Sequence, residues 1–366
     1  MLKKVDRMIE YENLKKVNAE FEREFRESFD LFLQSGSYIL DKEVEKFESN
    51  FSSYNKSRYC IGVGNGTDAL TLALKAADLQ AGDEVIVPSN TYIAPILSVI
   101  NLGLRPVFVE PDIRTYTIDP EKIKKNISPA SKAIIVVHLY GKPCQMEEIV
   151  RICNENKLAL IEDCAQAHGA EYHGQKVGNF GIGAFSFYPT KNLGALGDAG
   201  GLTCNDFRMK EKLRALRNYG AVEKNRHEYV GYNSRLDEIQ ARFLNIKLKS
   251  LDKINQHKKK LAAIYLESLQ GDFILPVVQK NIDDVFHIFA IRHEQRDKLR
   301  AFLLKNGVNT AIHYPVPPHL QPCMKGLTEG EFPISEKIHE TILSLPISYG
   351  HSVKDIETVC KVLNRF

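Results

Sequence analysis

The apolar residues between residue 58 and about residue 205 follow one repeating pattern. Short runs rich in valine, isoleucine and alanine are each followed by a turn and then by a stretch with helical spacing, which is typical of alternating strands and helices. Most runs are apolar without alternation, as expected of strands buried on both faces of a mainly parallel sheet. The predicted strands are 59–63, 84–88, 106–109, 133–138, 158–162, 184–187 and 201–203. The pattern predicts an α/β fold around a sheet of about seven strands.

A helical pattern of apolar residues then dominates segment 234–269, where spacings of mainly three and four predict one long amphipathic helix. Ser234 and Asp237 resemble a capping box, so the predicted helix begins at about Ser234. The segments that follow are a predicted strand at 285–291, a predicted helix at 296–306 and a proline-rich loop at 315–318.

Two further helix-like patterns, at 17–33 and 42–50, precede the first strand. They predict helices that pack on the small C-terminal domain or on a partner. The chain of 366 residues exceeds the usual size of one domain, and its 43% hydrophobic and 26% charged residues are ordinary for a folded enzyme. We therefore expect a large α/β domain over residues 1–250, which includes the N-terminal helices, and a smaller α+β domain over residues 251–366.

Charge and cysteine content exclude several classes of protein. The net charge is only +3, and the densest basic run, 257–260, lies inside a helical pattern, so nucleic-acid binding is not implied. The N-terminus lacks a signal-peptide core, and apolar stretches such as 133–137 are too short to span a membrane, so we expect a cytoplasmic protein. Seven cysteines without a CxxC pair predict free thiols and no metal site.

A glycine-rich turn follows the first predicted strand. Gly62, Gly64 and Gly66 lead into a helical pattern, and the N-terminus of a helix favours a phosphate through its unpaired amides and its dipole. A dinucleotide fingerprint fails because Thr67 occupies the third glycine position, and the Lys of a Walker loop is missing. The motif predicts either a site for one phosphate at Gly66 and Thr67, or a turn that binds nothing.

Two acids end the apolar strand 158–162. Ligands of open α/β sheets collect at the carboxyl ends of strands, so Asp163 is placed to meet a cation, either a protonated pyridine nitrogen or an arginine of the chain. Glu162 points to the opposite face if the strand alternation persists. His168, a few residues later, is interpreted as an interior histidine.

Lys191 lies in a loop with aromatic residues before it and four glycines after it. Alone, such a lysine is a solvated surface charge. A crowded loop, however, desolvates an amine and lowers its pKa, as a lysine that forms a Schiff base requires. Phosphate site, acid and lysine together supply the three contacts that pyridoxal 5'-phosphate needs, at its phosphate, ring nitrogen and aldehyde.

Seven stretches spread over nearly the whole chain resemble the DegT/DnrJ/EryC1/StrS sugar aminotransferases, which aminate keto sugars on nucleotide carriers. The resemblance implies a fold-type I pyridoxal-phosphate enzyme. The stretches are NGTDAL at 65–70, GDEVIVPSNTYIA at 82–94, VHLYG at 137–141, IEDCAQAHGA at 161–170, SFYPTKNLGALGDAGG at 186–201, GYNSRLDEIQA at 231–241 and HYPVPPH at 313–319.

The resemblance also implies roles for individual residues. Lys191 would form the internal imine and shuttle the proton, and Asp163 would hold the pyridine nitrogen protonated. Gln166 would hydrogen-bond the phenolic oxygen of the cofactor, and Tyr92 would stack on its ring. The implied phosphate contacts are Gly66, Thr67, Ser186 and, from the neighbouring subunit, Asn233. The implied working unit is a homodimer with shared active sites.

The implied substrate is a nucleotide-linked sugar. The candidates that line its site are Tyr188, Arg235, His313 and Tyr314, which have an alternative interpretation as packing residues. Glutamine at 166, where many relatives have histidine, resembles members that act on dTDP-linked 3-keto-6-deoxy sugars. We therefore expect amination at carbon 3 with L-glutamate as the donor.

Three alternatives to this function follow from the same resemblance. The first is amination of a 4-keto sugar. The second is dehydration of the sugar, but the dehydratases of the family have histidine in place of Lys191. The third is a regulatory protein without turnover, which does not account for the complete set of cofactor contacts.

Overall fold

A seven-stranded sheet forms the centre of the computed structural model, which describes residues 8–328 and 330–366. Its strands lie in the order β1-β7-β6-β5-β4-β2-β3, and β7 is antiparallel to both of its neighbours while the other pairs are parallel. In chain order the strands are β1 (Tyr59–Val63), β2 (Glu84–Pro88), β3 (Arg105–Val109), β4 (Ser131–Val137), β5 (Ala159–Asp163), β6 (Ile182–Ser186) and β7 (Gly200–Cys204). The predicted α/β fold class and its sheet are confirmed.

The helices surround this sheet and the C-terminal part of the chain. In chain order they are α1 (Leu14–Asn18), α2 (Glu22–Ser35), α3 (Lys42–Asn55), α4 (Gly66–Ala76), α5 (Ala94–Ile100), α6 (Pro120–Asn126), α7 (Met146–Asn156), α8 (Phe207–Leu216), α9 (Glu238–Leu248), α10 (Leu251–Ser268), α11 (Arg296–Lys305), α12 (Pro333–Thr341) and α13 (Val353–Leu363). None of the helices in the described ranges has the length and apolar character that a membrane crossing requires.

The sheet is buried on both faces because successive residues of its strands enter different cores. Val85 and Val87 of β2 pack with residues of α4 and α5, whereas Ile86 between them packs with residues of α6 and α7. A strand of this kind has no polar face, which explains why the apolar runs in the sequence do not alternate. The sheet therefore lies between two layers of helices and presents its carboxyl-terminal edge to ligands.

The C-terminal part of the chain buries a core of its own. Two antiparallel strands, β8 (Phe289–Arg292) and β9 (Ile342–Leu345), pack with apolar residues of α10, α11 and α13. The predicted strand at 285–291 starts later than expected, since residues 285–288 form a loop, and the predicted helix at 296–306 is confirmed as α11. The division at residues 250 and 251 falls at the turn between α9 and α10 and stays a prediction.

The single long helix predicted over 234–269 is wrong. The chain forms α9 and α10 instead, with a turn at Lys249 and Ser250. Ser234 caps neither helix: its hydroxyl donates to Asp68 Oδ2 (2.6 Å) and accepts from the Gly64 amide (3.1 Å). Apolar spacing misses the turn because residues on both sides of it pack in the same cores, as Leu248 and Leu251 do.

The N-terminal helices exist where predicted, and they pack on both parts of the chain. Phe47 and Phe51 of α3 pack with Phe185 and Phe187 beside the sheet, and Phe25 of α2 lies 5.0 Å from the ring of Phe243 in α9. These helices therefore cover the large sheet and α9, and each also shares a core with the predicted small domain: α3 with Leu251 and Val285, and α2 with Ile254. Packing on a partner stays a prediction. The seven cysteines are free, as predicted, and six of them are buried.

Candidate active site

A cavity of about 730 Å³ opens at the carboxyl-terminal edge of the sheet. Its walls come from residues that follow β1, β2, β4, β5 and β6, so segments far apart in sequence meet there. Ten of the twelve candidate site residues line this one cavity: Gly66, Thr67, Tyr92, Asp163, Gln166, Ser186, Tyr188, Lys191, His313 and Tyr314.

The glycine-rich turn builds the start of α4 at one end of the cavity. Asn65 caps the helix, because its side chain accepts from the Asp68 amide at 2.8 Å. The first amides of a helix have no partner within it, so those of Gly66 and Thr67 are available to a ligand. A Cβ at Gly66 would lie 2.6 Å from the Cβ of Ser186, so glycine alone allows β6 to approach this closely. The three predicted phosphate contacts of this subunit thus lie together.

Asp163 ends β5 at the floor of the cavity. One of its carboxylate oxygens accepts from the Ala165 amide at 3.0 Å. Burial raises the pKa of the Asp163 carboxyl, and the Ala165 amide and the charge of Lys191 act in the opposite direction. A buried carboxylate in such a position is poised to meet a cationic ligand.

Glu162, the preceding residue, lies outside the cavity. Its two oxygens accept from the backbone amides of the 178–181 turn at 2.8 Å, and one lies 3.2 Å from His138 Nε2. The Cys144 amide donates to the other ring nitrogen of His138, so Nε2 carries the proton and donates to Glu162. Glu162 is therefore a structural acid, as the alternation of the strand predicts.

Lys191 lies in a tight loop between β6 and β7. Its backbone amide donates to the Tyr188 carbonyl at 2.8 Å, and a Cβ at Gly194 would lie 2.3 Å from the carbonyl oxygen of Pro189. Burial lowers the pKa of Lys191 to about 8, although the carboxylates of Asp163 and Glu12 act against this shift. Near pH 8 about half of the amine is unprotonated, which is the form that attacks a carbonyl. The amine and the Asp163 carboxylate lie close enough for their charges to interact.

Gln166, Tyr314 and Tyr92 form one side of the cavity. The Gln166 side chain accepts from the Tyr140 amide at 2.6 Å and donates to the Tyr314 hydroxyl at 3.1 Å. The rings of Tyr92 and Tyr314 lie 5.1 Å apart. Gln166 is thus held in one orientation, and a second hydrogen of its amide group is free to meet a ligand.

Two histidines, His287 and His313, also line the cavity. His313 contacts Ser344 Oγ at 2.9 Å, and burial, with the nearby charge of Lys191, lowers its pKa to about 4. Burial also lowers the pKa of His287 well below its ordinary range. His287 and Ile288 were missed from the sequence, where they belong to an apolar run that predicts only a strand. A second cavity of about 460 Å³ shares both residues and includes Glu12.

Asn233 and Arg235 lie outside both cavities in this subunit. Asn233 is exposed and pairs with Asn218 through a backbone bridge, and the Arg235 guanidinium donates to Asn218 Oδ1 at 3.2 Å. Arg235 also lies over the ring of Tyr219, at 5.6 Å from its centroid. The structure therefore does not bring these two candidates to the site formed by the other ten.

His168 is an interior histidine, as interpreted from the sequence. It is fully buried between the rings of Phe185 and Phe187, at 5.7 and 5.5 Å. Burial lowers its pKa to about 3, so it is neutral at pH 7.

The mainly parallel sheet, with a lysine of lowered pKa and a buried carboxylate in one cavity at its edge, defines an α/β enzyme of the aminotransferase class. The model of the DegT/DnrJ/EryC1/StrS aminotransferase family matches residues 19–364. The chain belongs to this family.

Known relatives agree with this membership. A dTDP-3-amino-3,6-dideoxy-α-D-galactopyranose transaminase of Aneurinibacillus thermoaerophilus is 49% identical over 361 residues, which cover 98% of this chain and 99% of the relative. The crystal structure of S. venezuelae DesV in complex with a ketimine intermediate has a TM-score of 0.95 and 42% identity, with 98% of each chain covered. That of NtdA from Bacillus subtilis with bound cofactor PMP has a TM-score of 0.92 and 30% identity, covering all of this chain and 86% of the other. The predicted family and fold class are confirmed.

Proposed function

We propose that this enzyme transfers the amino group of L-glutamate to carbon 3 of a 3-keto-6-deoxyhexose carried on dTDP, with pyridoxal 5'-phosphate as cofactor. The observation that carries the proposal is the Lys191 amine, with its pKa near 8, in the same cavity as the buried Asp163 carboxylate. The sugar follows from the A. thermoaerophilus relative, which is named a dTDP-3-amino-3,6-dideoxy-α-D-galactopyranose transaminase.

The residues of the cavity fit three groups of this cofactor: its phosphate, its ring nitrogen and its aldehyde. The amides of Gly66 and Thr67 and the hydroxyl of Ser186 would hold its phosphate, since a helix N-terminus favours an anion. Asp163 would pair with its protonated ring nitrogen, which supplies the cation that a buried carboxylate needs. Lys191 would join its aldehyde. When bound, the cofactor supplies the electron sink for the carbon that loses its proton.

The chain's own residues perform the remaining tasks. Lys191 would remove the proton from the donor's α carbon and deliver it to the former aldehyde carbon of the cofactor, because its amine is only partly protonated near pH 8. Gln166 would donate to the cofactor's phenolic oxygen with its second amide hydrogen, and the exposed ring of Tyr92 would cover the ring face and exclude water.

The sugar would lie between Tyr188 and the two histidines that line the cavity. His287 and His313 are neutral at pH 7 because of their lowered pKa values, so each ring offers one donor and one acceptor to sugar hydroxyls. A neutral, partly aromatic wall suits a 6-deoxy sugar, which has a methyl group and no charge of its own.

A homodimer with shared sites accounts for Asn233 and Arg235. Both lie on segment 218–235, whose neighbouring apolar side chains are exposed; Val230, for example, is 83% exposed. An exposed apolar patch of this kind is typical of a protein interface. In the proposed dimer this segment brings Asn233 to the phosphate of the partner's cofactor and Arg235 to the partner's substrate.

Reduction of the loaded protein with borohydride tests the cofactor assignment. The reduced cofactor should remain on the peptide that contains Lys191, and Lys191→Ala should lose both this label and at least about a thousandfold in kcat. Lys247→Met, which removes another buried lysine, should keep the label. Turnover of Lys191→Ala at the original rate would disprove the role of Lys191.

A screen of 3-keto and 4-keto nucleotide sugars with glutamate, followed by product analysis, tests the substrate. We expect an amine at carbon 3 of a dTDP-linked 6-deoxy sugar. Amination of 4-keto sugars alone would overturn the position of the reaction. Loss of a sugar hydroxyl without a new amine would indicate a dehydratase instead.

A further inference from the structure

Lys258 is a buried lysine to which the proposed reaction assigns no task. It belongs to α10, and only 4% of the residue is exposed. Its ammonium donates to Asn192 Oδ1 and to the His287 carbonyl, both at 2.9 Å. A buried charge is unfavourable unless it is hydrogen-bonded, so these two acceptors stabilise the buried ammonium of Lys258.

Asn192, the first of these acceptors, directly follows Lys191 in the chain and is 5% exposed. Its side-chain amide donates to Asn255 Oδ1 at 2.9 Å and to the Val285 carbonyl at 3.3 Å. One buried side chain therefore joins the loop of Lys191 to α10 and to the segment that carries His287. Lys258 completes this connection, because it contacts both the loop and that segment.

We propose that Lys258 is a positioning residue for Lys191: it fixes the loop through Asn192 and places a positive charge beside the reactive amine. This inference rests on the proposed function, in which Lys191 is the residue that joins the cofactor.

The charges around Lys258 come from three other elements. Glu12 of the N-terminal segment and Asp284, which forms an ion pair with Lys142 at 3.2 Å, favour its charged form, whereas Lys191 opposes it. Burial is the largest influence and lowers the pKa of Lys258 to about 8. Most of the Lys258 side chains are therefore charged at pH 7.

The groups that face Lys191 are of two kinds. The carboxylates of Asp163 and Glu12 favour its protonated form. The imidazoles of His168, His287 and His313 are neutral at pH 7, because burial lowers the pKa of each. A neighbouring ammonium opposes the two carboxylates, since like charges favour loss of a proton. Lys258 supplies this charge, since the two lysines lie close enough for their charges to interact, and so favours loss of the proton from Lys191.

The test measures the Lys191 amine in the full-length, cofactor-free protein. Acetic anhydride acetylates unprotonated amines, and mass spectrometry gives the rate at Lys191 between pH 6 and pH 10, with free phenylalanine as the internal standard. In Lys258→Met we expect this rate at pH 7 to fall about three- to tenfold, because loss of the positive neighbour strengthens proton binding at Lys191. At pH 10 the rates of variant and wild type should converge.

Two further variants separate charge from packing. Lys258→Arg keeps a permanent charge and should retain the wild-type profile. Lys247→Met removes a lysine that is equally buried and also has a pKa of about 8. Lys247 anchors the same loop at the Gly194 carbonyl instead of at Asn192, so its loss tests the removal of a loop contact alone and should leave the Lys191 profile unchanged. Circular dichroism verifies that each variant folds.

An unchanged rate in Lys258→Met, or equal shifts in Lys258→Met and Lys247→Met, would overturn the inference. A loss in Lys258→Arg as large as that in Lys258→Met would overturn it as well, because the charge would then have no part. Failure of the proposed function has a different signature: borohydride would leave no cofactor on Lys191, whatever the acetylation rates are.

Discussion

Glu162 and Asp163 are neighbours in sequence with opposite surroundings. Glu162 is fully buried and accepts three backbone amides, whereas Asp163 accepts one and lines the cavity. The alternation of a strand is enough to produce this difference, since successive side chains point to opposite faces. Glu162 therefore stabilises the 178–181 turn, whereas Asp163 is accessible to a ligand in the cavity.

The two acids can be separated by isosteric amide substitutions. Asp163→Asn keeps the acceptor for the Ala165 amide but loses the charge, so we expect kcat to fall at least about a hundredfold with little change in the melting temperature. Glu162→Gln leaves backbone amides of the 178–181 turn without a charged acceptor and should cost about 1–3 kcal/mol of unfolding free energy. Steady-state kinetics and thermal denaturation measure the two effects. A loss of stability in Asp163→Asn without loss of kcat would contradict the assignment.

At the scale of elements, the contact between α4 and β6 shapes the proposed phosphate site. The backbone of the helix start approaches Ser186 so closely that Gly66 has no room for a side chain. The first amides of α4 and the hydroxyl of Ser186 therefore lie next to each other, where both could contact one ligand.

Gly66→Ala tests the importance of this contact. The added methyl group would lie 2.6 Å from the Cβ of Ser186 and must push α4 and β6 apart. We expect the affinity for pyridoxal 5'-phosphate to fall at least about tenfold, as measured by fluorescence titration of the cofactor-free protein. Gly36→Ala, at the end of α2, meets open space and should affect only stability, by about 1 kcal/mol. Equal cofactor affinity in both variants would argue against the phosphate site.

The sequence predicts the elements of the sheet well because buried parallel strands have a distinctive apolar composition. It predicts most of the cavity for the same reason: Gly66, Asp163 and Lys191 follow strand ends that the apolar runs reveal. The turn between α9 and α10 cannot be predicted in this way, because the spacing of apolar residues does not show where the chain changes direction. His287 was missed because a single histidine in an apolar run resembles an ordinary core residue.

At the scale of the whole molecule, segment 218–235 carries two candidate site residues that lie away from the cavity of their own subunit. Asn233 and Arg235 contact Asn218 and Tyr219 of their own segment, and neither lines the two cavities described above. The role predicted for Asn233, and the one proposed here for Arg235, depend on a second copy of the chain, which sequence patterns cannot place.

Mixing two inactive variants tests the shared site. In heterodimers of Asn233→Ala and Lys191→Ala, one of the two sites has both native residues, so random exchange should restore about a quarter of the wild-type activity. Each variant alone should stay inactive or nearly so. Native mass spectrometry verifies the exchange, and a lack of recovery in a sample with proven heterodimers would exclude a shared site.

The buried lysines of the molecule also couple folding to protons. Lys247 and Lys258 titrate near pH 8 in the folded chain, whereas a solvated lysine titrates near 10.5. Between these pH values the unfolded chain binds more protons than the folded one, so the contribution of these residues to stability increases as the pH rises. Alkaline solution thus draws protons away from the unfolded chain and favours an intact interior around Lys191.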